Sequence, residues 1–123
     1  MANPNRVAGQ VTVKVDGQVL ETDGSSTMEL GGPVRTPVKG DYQAGAFTET
    51  TVEAKLETSI LIKAGTSIAE LRKIDNATCT LETDVGVTWV IRNAYCSDVI
   101  SVNANEGKAK VVFMGPPAEE LSL

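Results

Sequence analysis

Apolar and polar residues alternate along most of this chain, most regularly over residues 47–57, FTETTVEAKLE. Thr48, Thr50, Val52, Ala54 and Leu56 fall on one side, and Glu49, Thr51, Glu53, Lys55 and Glu57 on the other. A period of two is the side-chain repeat of a β-strand with one dry face and one wet face. Carboxylates at Glu49, Glu53 and Glu57 therefore predict an acidic stripe on the wet face. Residues 31–46, GGPVRTPVKGDYQAGA, deliver this strand, and their glycines and prolines predict a long loop. Long loops in small domains usually have a function.

Shorter alternations flank this centre. Val11, Val13 and Val15 alternate with Gln10, Thr12 and Lys14, and Asp16-Gly17 is a two-residue hairpin signal, because such turns need positive φ at both positions. Residues 18–22 return, Asp23-Gly24 predicts a second turn of the same kind, and residues 25–30 a third strand, so this part reads as a meander. Ser67-Ile68-Ala69-Glu70 has capping-box spacing. Ile68, Leu71 and Ile74 follow at helical spacing, with Arg72 and Lys73 where positive charge suits the helix dipole. So short a helix must pack its apolar face on the sheets. Strands are predicted again over 77–83, 86–92, 98–104 and 108–114, the last two joined by Asn105-Glu106-Gly107. Gly115-Pro116-Pro117 closes the pattern and leaves 115–123 as a flexible acidic tail. The expected fold is mainly β: an antiparallel β-sandwich or partly open barrel with one short α-helix, in a single domain over 1–123.

Composition narrows the function. Of 123 residues, 41% are hydrophobic and only 4% aromatic, so the core is thin and neighbours are expected to complete the burial. A net charge of −5 argues against gripping nucleic acid, which takes Lys and Arg on phosphates. The absence of histidine removes imidazole bases, Ser-His-Asp triads and the commonest metal ligand. Residues 65–73 lack the glycine pair and terminal GK[ST] of a phosphate loop. Glu29 and Glu53 are a conceivable glycosidase-type pair, but one Trp, two Tyr and two Phe give little for sugar stacking. The expectation is no enzyme, no cofactor and no metal. No apolar run is long enough for a membrane span, and no basic-then-apolar start suggests a secretory signal. Cys79 and Cys96 are not a CxxC pair; a hairpin about Asp84-Val85 would set Cys79 opposite residues near Ile91 and leave Cys96 beyond reach, which predicts two thiols. Trp89, inside Val87-Thr88-Trp89-Val90-Ile91, is expected in the core.

Four stretches in order resemble the tail tube proteins of Mu-like contractile-tailed bacteriophages. They are NRVAGQVTVKVDGQ with Asn5, Arg6, Gly9, Asp16 and Gly17; SIAELRKIDNATCTLE; VIRNAYCSD with Arg92, Asn93, Ala94 and Tyr95; and VNANEGKAKVVFMG with Glu106 and Gly107. The likeness spans nearly the whole chain and is weakest over 31–46 and after Gly115. It implies six-membered rings stacked into a hollow tube inside a contractile sheath, with strands of adjacent subunits joined into one barrel and a long loop reaching the next ring. DNA passes through such a channel without specific binding. The partners implied are further copies of the chain, a sheath protein, and baseplate and tail terminator proteins. The implied setting is the virion, assembled in the host cytoplasm, with no membrane. A carboxylate wall would repel phosphate rather than hold it. Glu29, Glu49, Glu53 and Glu57 are therefore the expected lumen-facing residues, and Arg35, Lys39, Asp41 and Tyr42 the expected inter-ring contacts. Two other readings remain: the tube of a tailocin or secretion-type injector, and a small β-barrel ligand-binding module. Stacked rings would exclude the module.

Overall fold

The computed structural model of the chain describes residues 3–63, 68–97 and 99–122. Its strands are β1 (Val11–Val15), β2 (Gln18–Leu20), β3 (Thr27–Glu29), β4 (Gly32–Val38), β5 (Ala46–Val52), β6 (Ala54–Leu61), β7 (Ala77–Thr83), β8 (Val87–Cys96), β9 (Ser101–Asn103), β10 (Lys108–Gly115) and β11 (Glu119–Ser122), with one helix, α1 (Ile68–Arg72). Hydrogen bonds link the body strands in the order β2-β1-β7-β8-β10-β6-β3, with β11 added to β8 and β9 to β10. Strands β4 and β5 pair with each other as a separate two-stranded ribbon.

Strand β8 folds the body over its own core. It pairs with β7 up to Ala94, then with β10 at Tyr95 and Cys96. Just before this switch the β7 register shifts, between the pairs Cys79↔Ile91 and Ala77↔Ala94, and Asn93 there adopts φ 54°. Asparagine is among the few non-glycine residues that tolerate this region, so Asn93 can mark the bend without a large penalty. Gly115 on β10 crosses the same bend. A Cβ there would lie 2.7 Å from Ile91 Cγ2 and 3.3 Å from Ala94 Cα, so the crossing needs a glycine.

Alternating positions fill the space enclosed. Val13 and Val15, Cys79 and Leu81, Leu56 and Ile60, and Val111 and Phe113 meet as one buried cluster. Strand β6 is buried at every second residue, as its sequence predicts. Ile68 and Leu71 of α1, and Ile74 just beyond its end, pack against this core, and Trp89 lies half-buried at its margin. Ser67, which would cap α1, and Asp98, which would open β9, lie outside the described residues. The turn at Asp16-Gly17 has φ 51° and 83°, as expected. Cys79 pairs with Ile91 in register, and neither cysteine forms a disulfide. Burial, with smaller contributions from Asp16 and Cys96, pushes the Cys79 thiol up to about 12.

Three expectations are corrected. The N-terminal meander does not form: β3 leaves β2 and pairs with β6 at the far end of the hydrogen-bonded path. The cause is local. Asp23 Oδ1 accepts from the Ser25 amide at 3.0 Å and from its hydroxyl at 2.5 Å, which makes a side-chain turn instead of a two-residue hairpin. Thr22 then bridges Ile60, and the chain crosses to the other edge. Second, part of the tail is strand: Glu119–Ser122 pair with Val87–Val90, and Arg92 Nε donates to Glu119 at 3.0 Å. Third, residues 31–46 are not one loop, and 47–57 is not one buried-face strand.

Candidate assembly surface

Much of the predicted loop is strand. In β4 and β5 the register runs from Gly32↔Val52 to Val38↔Ala46, with Arg35 opposite Glu49. Pro33 and Pro37 fit because they share one parity. A proline has no N–H, so in a paired strand it must sit where the N–H would point outward. Val34, Thr36 and Val38 therefore hydrogen-bond to β5, while 33, 35 and 37 turn their backbone to the open edge. The non-bonded pairs bring side chains closer. Arg35 Nε accordingly donates to Glu49 Oε1 at 2.7 Å, and its guanidinium lies 5.7 Å from the centre of the Phe47 ring. All of β5, and all of β4 except Gly32, is exposed. At the tip, Gly40 N–H donates to the Gln43 carbonyl at 3.0 Å, and Lys39, Asp41 and Tyr42 stand in solvent.

The ribbon continues the β3–β6 pair. Glu29↔Lys55 and Gly32↔Val52 belong to one unshifted register, interrupted only at Leu30, Gly31 and Glu53. Gly31 (φ 73°) and Gly32 (φ 98°) make the break. A Cβ on Gly31 would come within 2.6–2.7 Å of the Val52–Ala54 backbone. The Leu30 carbonyl leaves the ladder and accepts the Ala118 N–H at 2.8 Å.

This break has a consequence for the glutamates. In β6, the Leu61 N–H donates to Glu21 and the Ser59 carbonyl accepts from Asp23, so odd residues face the β3 side. The Ile62 N–H donates to Gly107, so even residues face β10. In β5 the even residues face β4. The alternation therefore changes phase at Glu53, and Glu49 and Glu57 do not continue one another on a single face. The stripe drawn from the sequence assumed an unbroken period of two. The adjacent glycines opposite Glu53 were the available sign that it would fail.

Glu29 and Glu57 do share the outer face of β3, β6 and β10, but amines accompany them. Glu29 is opposite Lys55, and Lys110 Nζ lies 2.5 Å from Glu57 Oε1. Lys108 Nζ is 3.2 Å from Asp23. The Ser25 hydroxyl and amide, with help from Lys108, hold Asp23 at about 2. A shallow polar depression of about 260 Å³ lies between Asp23, Ser59, Ser101, Asn103, Glu106 and Lys108. No cluster that could hold a metal occurs among the described residues. The sequence reading placed Lys55 beside the glutamates but missed Lys108 and Lys110, which alternate along β10 and could have been found that way.

At the opposite end of the body, Asp84 ties down the N-terminal segment. Its carboxylate accepts from Gly9 N–H at 3.3 Å and pairs with Arg6 at 3.0 Å. These contacts, the Gly9 amide foremost, lower its pKa.

A family model described as phage tail tube protein matches residues 4–120. A Mu-like prophage FluMu tail tube protein of Haemophilus influenzae is 32% identical over 103 residues, covering 84% of this chain and 86% of that protein. The fold is similar to the sheath/tube terminator of an extracellular contractile injection system, with a TM-score of 0.69 and 12% identity over 98% of this chain and 99% of that one. It is also similar to the tube-terminating cap of the anti-feeding prophage, with a TM-score of 0.71 and 8% identity over 100% and 95% of the two chains.

Proposed function

The chain belongs to the phage tail tube protein family, a family of structural proteins and not of enzymes, and from this we propose that copies form six-membered rings stacked into the tail tube of a Mu-like virion. The observation that carries the assembly reading is the ribbon. It exposes Val34, Val38, Phe47 and Val52 on a two-stranded element that no body strand covers among the described residues. Isolated two-stranded ribbons are marginal in water, and their open edges invite pairing. Association with further copies would remove both problems. The sheath, the baseplate and the tail terminator are the other proposed partners, with assembly in the host cytoplasm.

The ribbon tip supplies the ring-to-ring contact in this reading, through Lys39, Asp41 and Tyr42 with Arg35 on its flank. Glu29, Glu49, Glu53 and Glu57 are proposed to face the channel, where passing DNA meets carboxylates. Arg35, Lys55 and Lys110 temper that charge, so the wall is weakly repulsive rather than strongly acidic. Glu49 joins the wall of Glu57 only if the ribbon turns over at its glycine break. Charge reversal tests the wall: Glu57→Lys should hinder DNA delivery without preventing assembly, and normal infection by this variant removes Glu57 from the lining.

Imaging of the purified protein at high concentration tests the whole reading. Stacked rings or rods of uniform width are expected, with six subunits in end-on views. Uniform small particles at every concentration would replace the tube with a solitary module.

A further inference from the structure

We infer that the ribbon has one edge built for a second copy and one edge closed to it: the outer edge of β5 accepts the neighbour's strand, and the outer edge of β4 does not. This deepens the assembly reading and rests on it. On the β4 edge, Pro33 and Pro37 have no N–H, which leaves Arg35 as the single outward donor in the strand. Prolines in this position are a familiar way of closing a strand edge. On the β5 edge, Phe47, Glu49 and Thr51 all point both N–H and carbonyl outward, because Ala46, Thr48, Thr50 and Val52 hold the β4 ladder.

The β5 edge is open because β10 stops beside it. In the body, β10 covers that side of β6 as far as the pair Gly115↔Ala54. Pro116 and Pro117 then carry the chain away, and β11 joins β8 instead. No described strand takes the place beside β5 that β10 vacates.

A second copy of this chain is the occupant that fits. The ribbon's charges are already paired within it, Arg35 with Glu49, so an incoming identical subunit meets no net repulsion there. The other ribbon face carries Val34, Thr36, Val38, Ala46, Thr48 and Val52 without a charge, a surface that identical copies can cover. Pairing of β5 with β5 would close a dimer and end growth. A ring requires β5 to meet a different edge of the next copy.

Hydrogen exchange read residue by residue, in dilute subunits and in the assembled state, tests this directly. The amides of Phe47, Glu49 and Thr51 should exchange freely in the subunit and slow by at least about tenfold on assembly. The amides of Thr36 and Val38 should be protected in both states, and that of Arg35 in neither. Thr51→Pro removes an outward donor but none of the bonds to β4; the folded subunit should survive while assembly is lost. Pro37→Ala should leave assembly as it was. Rods in which Arg35 becomes protected while Phe47, Glu49 and Thr51 remain fast would overturn the edge assignment and leave the tube standing. A chain that stays single at all concentrations would overturn both.

Discussion

Strands β5 and β6 are one run of alternating sequence with two different fates. In β6, Leu56 and Ile60 are buried against β1, β7 and β10 residues; in β5, Thr50 and Val52 follow the same rhythm and lie in solvent. Propensity does not explain the difference, since β5, with three threonines and a valine, is at least as suited to a strand as β6. A second layer faces β6, and among the described residues none faces β5. Alternation decides that a segment is a strand with two unlike faces. Burial depends on what stands opposite, which here is supplied from within the chain at one end and, in the assembly reading, by other copies at the other.

The widest separation of body from ribbon should come from truncation and deletion. Leu56→Ala should cost about 2–5 kcal/mol, since Leu56 is fully buried, while Val52→Ala on the ribbon should change subunit stability by no more than about 0.5 kcal/mol. Denaturant midpoints of the two variants measure this, and equal losses would break the comparison. Removing residues 34–43 should likewise leave a folded body and abolish stacking; rods of normal length from that deletion would count against the ribbon.

The junction comes next. Gly31→Ala combines a positive φ with contacts of 2.6–2.7 Å to backbone, so it should cost more than the about 1–2 kcal/mol expected from handedness alone. Gly24→Ala is the matched reference, because it has φ 90° and open space around its Cβ. A larger unfolding cost for Gly31 shows that the close approach, and not only the φ, fixes the ribbon on the body.

A smaller effect concerns acid. Asp23 has a folded pKa near 2, below the usual carboxylate value of about 3.9. A depressed pKa stabilises the fold above the unfolded value, and this contribution fades as pH falls through 2. Asp23→Asn should therefore flatten the stability profile between about pH 4 and pH 2 and loosen the crossing between β2 and β3, with little change in the ribbon's hydrogen exchange. The smallest effect is chemical. With its thiol near 12 and fully buried, Cys79 should resist alkylation at pH 8 until the body unfolds, whereas Cys96, less buried, should label first in the native protein.

Much of this was legible from the residues in order. The period of two located the core faces of β1, β6 and β7, and Asp16-Gly17 announced its turn. The hairpin about Asp84-Val85 placed Cys79 among residues near Ile91, and the structure pairs it with Ile91 itself. The resemblance carried by Asn5, Arg92, Asn93 and Gly107 led to the right family. Those features are local, or repeat at a fixed spacing, so the chain by itself determines them. Tertiary structure decided where β3 would pair, whether 31–46 would be loop or ribbon, and on which face each glutamate would lie. Backbone hydrogen bonds in a sheet are made with residues far away in sequence. A side-chain turn at Asp23 or a glycine pair opposite Glu53 can therefore redirect a strand, or reverse its faces, without altering the pattern on either side.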